Sequence, residues 1–256
     1  MSGGLRLHLG LFYGFLYGPI LVLMVLSFNR AGLPTAWGGF SLEWYGKLFA
    51  SEAILRAARN TVLVALASTA LATVIGTLLA VGVETRARSV ALDAVLFAPM
   101  IIPDIVLAIA LLSFYTALGF TLGLHSIVLS HVVFNLAFVT AVVRTRMRHF
   151  DQSILEASAD LGASAFTTFR RVLLPAIAPG VIAGALLSFT LSVDEFIIAF
   201  FTAGAGPSST TLPMQIYAMI RFGVTPEINA MATIVMGVSF ALVLIAQRAD
   251  RGVFTR

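Results

Sequence analysis

Apolar positions along this 256-residue chain do not alternate with polar ones; they run together in long blocks. A bilayer core takes about 20 mostly apolar residues to cross. Blocks of that order occupy 9–28, 60–83, 94–118, 126–143, 176–203 and 228–246. The third carries Asp104 as its one charged residue, the fifth carries Asp194 and Glu195, and the other four carry no Asp, Glu, Lys or Arg. Backbone groups in lipid must satisfy their hydrogen bonds internally. The pattern therefore predicts an all-α integral membrane protein with six transmembrane helices in one domain over 1–256. The fifth span is placed at about 180–203, because Pro175 and Pro179 are expected to break the chain ahead of it. The first block is too long for a signal-peptide core and lacks an A-x-A site, so it is expected to be a retained helix.

Composition agrees with that assignment. The chain is 59% hydrophobic and 11% charged, whereas soluble domains carry about a quarter charged residues. It has no cysteine, which excludes disulfides and thiol chemistry. The net charge of +4 does not point to nucleic acid, because in a membrane chain the distribution of basic residues matters more than their sum. Arg6, Arg86, Arg88, Arg144, Arg146, Arg148, Arg170, Arg171, Arg248, Arg251 and Arg256 fall on one set of connecting segments. Arg30, Lys47, Arg56, Arg59 and Arg221 fall on the other. This bias predicts both termini and the segment 144–179 in the cytoplasm, with 29–59 and 204–227 outside.

The segment 144–179 is unusually organised for a connection. Asp151 is suited to cap a helix over 152–161, with Ile154, Ala157, Ser158 and Leu161 on one face. Gly162 is a C-terminal glycine, and Ser164 is suited to cap a second helix presenting Phe166, Phe169 and Leu173. By pattern alone this is a surface hairpin joining two spans. The spacing resembles the "EAA" loop of ABC importer permeases, which reads E-A-A, three residues, G, nine residues, I-x-L-P. Here Glu156-Ala157-Ser158 is followed by Gly162 and then by Val172-x-Leu174-Pro175 at the same intervals, with Ser158 and Val172 as the two departures. The resemblance implies a type I ABC importer permease fold whose hairpin docks on a cytoplasmic ATPase subunit. A P-loop needs a lysine on the phosphates, and the chain's single lysine, Lys47, lies in "YGKLF". ATP and Mg are thus expected on separate ATPase subunits, with no cofactor and no catalytic residue in this chain.

Carboxylates within a membrane are costly and are functional candidates by default. Asp104 stands about ten residues into span three, roughly 15 Å along it, and Asp194 and Glu195 about fifteen beyond Gly180, roughly 22 Å. No Lys or Arg within the spans offsets them, so a pathway lined by them favours cations. Structural roles for all three remain open at this level: Asp104 can serve backbone groups freed by Pro99 and Pro103, and the acidic pair can meet a partner subunit. His131 and Asn135 share a face of span four and are expected to hydrogen-bond across helices. Gly180, Gly184, Ser188 and Ser192 form a small-residue stripe on span five with Glu195 close to it, which predicts close helix packing.

Further stretches narrow the resemblance. "SFN" at 27–29, "SLEWYGKLF" at 41–49, "PDIVLAIALL" at 103–112 and "SFTLSVDEFIIAFFTAG" through "TLPMQIYAMIRFGVTPEINAMATI" look like PotC-type permeases of spermidine/putrescine importers, nearly end to end. That family implies a bacterial inner-membrane location, a second homologous permease, two ATPase subunits and a periplasmic binding protein that delivers the polyamine. The rival class, an ion-driven secondary transporter, commonly shows inverted halves; no such repeat is visible, and it leaves the hairpin unexplained.

Overall fold

A computed structural model describes residues 3–32, 36–85, 89–151, 153–221, 223 and 225–253, with backbone alone at 239 and 241–253. Among these residues the chain is helical and has no strand; its β feature is an isolated antiparallel bridge between Asn29 and Phe40. The α-helices are α1 (Gly3–Leu26), α2 (Glu43–Ala50), α3 (Glu52–Thr85), α4 (Val90–Ile101), α5 (Asp104–Ala117) and α6 (Leu124–Arg148). They continue with α7 (Ser153–Asp160), α8 (Ala165–Thr168), α9 (Leu174–Asp194), α10 (Ile197–Thr202), α11 (Leu212–Ile220) and α12 (Pro226–Val253). Four helices among the described residues are long and apolar enough to cross a membrane: α1, α3, α6 and the continuous run Ala165–Asp194. The pair α4 and α5 passes the same test together, bent by 107°. The expected sixth span, 228–246, falls in α12, and its side chains from 241 on lie outside the described residues. So do Arg86, Arg88 and Arg256 and the side chains of Arg248 and Arg251, on which part of the orientation argument rests.

The chain divides into two compact units, 1–55 with 215–256 and 56–214. In the first, α1 and α2 pack on α12, and α1 buries none of its own residues. The segment between α1 and α2 is organised by Asn29, which is fully buried. Its Oδ1 accepts from the amides of Ala31 and Gly38 at 3.1 and 2.8 Å, its Nδ2 donates to the Ala36 carbonyl at 2.8 Å, and Trp44 Nε1 donates to its carbonyl at 2.8 Å.

The second unit is built on α6 and the stripe of small residues on α9. Gly180, Gly184, Ser188 and Ser192 are all buried. An added Cβ on Gly180 would lie 2.7 Å from Arg146 Cβ, and one on Gly76 of α3 would lie 2.9 Å from Val139 Cγ1. Glycine at these positions lets the helix backbones approach where any larger residue would hold them apart. The apolar interior beside this contact comprises Ala72, Ala80, Val139, Val143, Met147, Leu173 and Ile177.

The structure corrects two expectations about span geometry. The third apolar block is not straight. Ile102 takes the extended conformation (φ −69°, ψ 132°) that a residue ahead of proline prefers, and Pro103 has no N–H with which to continue the helix. Asp104 is therefore the first residue of α5, and its depth does not follow from a rise along one rod. Pro175 and Pro179, conversely, do not break the chain. The helix runs from Ala165 to Asp194 through a π-helical turn, Phe169–Leu173, in which the Leu174 amide bonds back to Phe169 O. A wider turn leaves carbonyls unpaired just ahead of Pro175, where the proline could not have served them. The break comes at the other end of α9, at Glu195.

If backbone contact holds α9 to α6, Gly180→Val costs about 1–3 kcal/mol by overpacking. Gly184→Ala, where a Cβ meets Val139 at an ordinary 3.5 Å, is tolerated. Thermal unfolding in detergent measures both; an unchanged Tm for Gly180→Val would refute the close approach.

Candidate functional site

After α6 the chain forms two short helices, α7 and α8, joined through Gly162. Asp151 Oδ1 accepts from the Ser153 amide at 3.0 Å, and its bonds to the Ser153 hydroxyl and amide hold this exposed carboxyl below the usual aspartate value. Gln152, the expected first helical residue, lies outside the described residues. Gly162 has φ +79°, a left-handed conformation that side-chain-bearing residues adopt at a cost. Ser164 Oγ accepts from the Thr167 amide at 3.3 Å. The Ser158 and Thr168 hydroxyls meet at 2.9 Å and tie α7 to α8. On the inward side of α7, Leu155 and Ala159 line a groove with Val81, Thr85, Phe169 and Leu173. Ile154, Ala157, Leu161 and Phe166 are left exposed, with Glu156 beside them. Val172 falls in the π turn, and Leu174 and Pro175 open α9.

The acidic residues gather at the two breaks of the second unit. At the end of α9 the chain is extended through Glu195 (φ −70°, ψ 118°) and resumes as α10. The Glu195 carboxylate turns back to accept from the amides of Ile198 at 2.9 Å and Ala199 at 3.2 Å. Its side chain is only 8% exposed, and Asp104, from the break between α4 and α5, is near enough for the two charges to repel. Asp104 and Asp194 themselves are exposed. The acidic pair thus separates: Glu195 is bound into the fold, and Asp194 faces away from it. His131 reaches the same joint. Its Nδ1 is 2.7 Å from Ser192 Oγ, which is 3.0 Å from Ser68 Oγ, and its Nε2 is 3.9 Å from Glu195 Oε2. His131 therefore makes the expected interhelical bond. Asn135 does not: both polar atoms of its buried amide lack a hydrogen-bond partner.

Sequence reasoning missed one feature altogether. Arg144, 5% exposed, donates from Nε to Glu84 at 2.7 Å and from Nη1 to Asp93 at 2.6 Å. Its guanidinium carbon lies 5.4 Å from the Phe97 ring centre, and Arg148 approaches Glu84 at 3.6 Å. These contacts tie α3, α4 and α6 where α6 leads into the hairpin. The available signal was two acids, Glu84 and Asp93, on either side of an otherwise basic segment; counting arginines for orientation passed over it.

The chain is helical, with an apolar-tipped hairpin after α6 and acids at its helix breaks. The chain belongs to the family described as "Binding-protein-dependent transport system inner membrane component", which its residues 72–253 match. It is 41% identical over 242 residues to the spermidine/putrescine transport system permease protein PotC of Haemophilus influenzae, covering 93% of each chain. To PotC of Escherichia coli K12 it is 43% identical over 241 residues, covering 93% of this chain and 90% of the relative. Among solved structures, the fold resembles a chain of a bacterial ABC transporter involved in importing the acidic polysaccharide alginate. The TM-score is 0.78 at 17% identity, over 97% of this chain and 94% of the other.

Removing one member of a buried ion pair typically costs 3–5 kcal/mol, and removing both costs far less. Arg144→Met is accordingly expected to lower stability by about that amount, and Arg144→Met with Glu84→Met to recover most of it. Detergent-solubilised unfolding of the two variants checks this; equal losses would show that the pairing contributes nothing.

Proposed function

We propose that this chain is a membrane-spanning permease subunit of an ATP-driven importer for a polyamine such as spermidine or putrescine. What carries the reading is the hairpin, which keeps the ABC-importer spacing from Glu156 to Pro175 on a chain over 40% identical to PotC along 93% of its length. In this reading the chain is one permease domain of six spans: α1, α3, the bent α4–α5 pair, α6, α9 with α10, and α12. Both termini and the hairpin face the cytoplasm of a bacterium, from within its inner membrane. A second homologous permease completes the pathway, two ATPase subunits bind ATP and Mg, and a periplasmic binding protein delivers the cargo.

The hairpin transmits ATPase movement. Ala157, Leu161 and Phe166 offer an apolar surface to the ATPase, Glu156 a charge, and Ser158, Gly162, Val172, Leu174 and Pro175 the shape that presents them. Short amphipathic helices are marginal alone, so contact with a partner stabilises α7. The acids attract a polycation at the helix breaks. Asp104 and Asp194 meet it directly, and Glu195 contributes while also holding α10.

Gly162→Pro cannot adopt φ +79° and is expected to abolish uptake by releasing the ATPase while the chain still inserts. Co-purification with the ATPase, scored beside spermidine uptake, tests this; retention and normal uptake together would refute docking. Asp104→Asn with Asp194→Asn keeps shape and removes charge, so the complex should assemble and hydrolyse ATP yet transport spermidine at least about tenfold more slowly. Wild-type uptake by that variant would end the cation-pathway reading.

A further inference from the structure

The hydroxyls beside His131 determine which ring nitrogen carries hydrogen. Their chain of bonds ends at the Ala65 carbonyl, which can only accept, so Ser68 Oγ donates to it at 3.3 Å. Ser68 then accepts from Ser192 at 3.0 Å, and Ser192 accepts from His131 Nδ1 at 2.7 Å. With hydrogen on Nδ1, the Nε2 of a neutral ring is a bare lone pair. This Nε2 is buried without a hydrogen-bond partner, and it faces the Glu195 carboxylate at 3.9 Å. Two acceptors set against each other in a buried place call for a donor between them. The separation is too wide for a direct hydrogen bond, yet one nitrogen can sit within about 2.8 Å of both.

We propose that His131 Nε2 and the Glu195 carboxylate form a receptor for a primary ammonium group of the cargo, and that His131 is its specificity-determining half. A carboxylate attracts any cation. The imidazole lone pair adds a requirement for an N–H, which an alkylammonium meets and a quaternary ammonium or an alkali ion does not. The inference rests on the pathway role proposed above for the acids. It also has a definite pH sign. A second proton on His131 turns Nε2 into a donor and makes the ring positive, so the receptor is lost as pH falls. The groups at the ring are Glu195 at the joint and the Ser192 hydroxyl from α9, backed by the Ser68 hydroxyl from α3.

The test uses the full complex in proteoliposomes with spermidine as probe, reading uptake, ATP hydrolysis and complex yield on the same preparations. His131→Phe, which keeps the ring shape without the acceptor, should lower uptake about tenfold or more with hydrolysis and yield retained. His131→Gln, which can present an amide oxygen, should restore much of it. As pH is lowered from about 6 toward 4, wild-type uptake should fall more steeply than that of His131→Gln. Wild-type uptake by His131→Phe, or matching pH profiles for wild type and His131→Gln, would overturn the proposal. Should His131→Phe fail to assemble, the pH comparison decides by itself. Glu195→Gln separates the two levels: impaired uptake there beside normal uptake by His131→Phe removes this inference alone, whereas normal uptake by Glu195→Gln removes the role of Glu195 in the pathway.

Discussion

Helices in lipid gain little from burying apolar surface against one another, because the lipid tails are as apolar as leucine. What holds α9 to α6 is the closeness of their backbones, which Gly180 and Gly184 permit against Arg146 and Val139. Everything else in the second unit follows from that contact. Once the backbones are close, the hydroxyls of Ser188 and Ser192 lie between helices, where they meet Thr69, Ser68 and His131. The same approach leaves little room for water, so polar groups on facing positions must find one another.

The two helix breaks meet the same constraint differently. At Pro103 the missing N–H removes a donor that would otherwise need a partner, and the chain turns by 107°. At Glu195 no proline is present, and the freed amides of Ile198 and Ala199 are taken up by the glutamate's own carboxylate. A charged residue in an apolar block is thus explained partly by backbone accounting, which is why its charge alone does not define its role. Asp194, with no such duty and an exposed side chain, is the cleaner candidate for contact with a passing cation.

Most of the helical plan was legible because a block of apolar residues has few alternatives in lipid. The small-residue stripe and the glycine turn at Gly162 were legible for the same reason: each permits something no larger residue does. The prolines were the hard part. Pro103 bends its block, whereas Pro175 and Pro179 are carried within a continuous helix, and local sequence does not announce which will happen. The Arg144 cluster was hidden because its acids, Glu84 and Asp93, are 60 and 51 residues away along the chain. The inward packing of Leu155 was not legible because it meets a core that the hairpin's own periodicity does not contain. The cargo is not legible from the fold at all, since a chain from an importer of an acidic polysaccharide superimposes on this one.

The unbroken run from Ala165 to Asp194 has a kinematic consequence. At 1.5 Å per residue its 30 residues make a rod about 45 Å long, with the hairpin at one end and the Glu195 joint at the other. A rod does not average displacement away: tilted by about 10° about one end, it swings the other through roughly 8 Å, more than the pitch of a helical turn. The π turn, near one end, and Pro179 beyond it interrupt the regular hydrogen bonding and would set where such a rotation is absorbed. The widest excursion then falls at the joint, where the chain leaves one helix for the next.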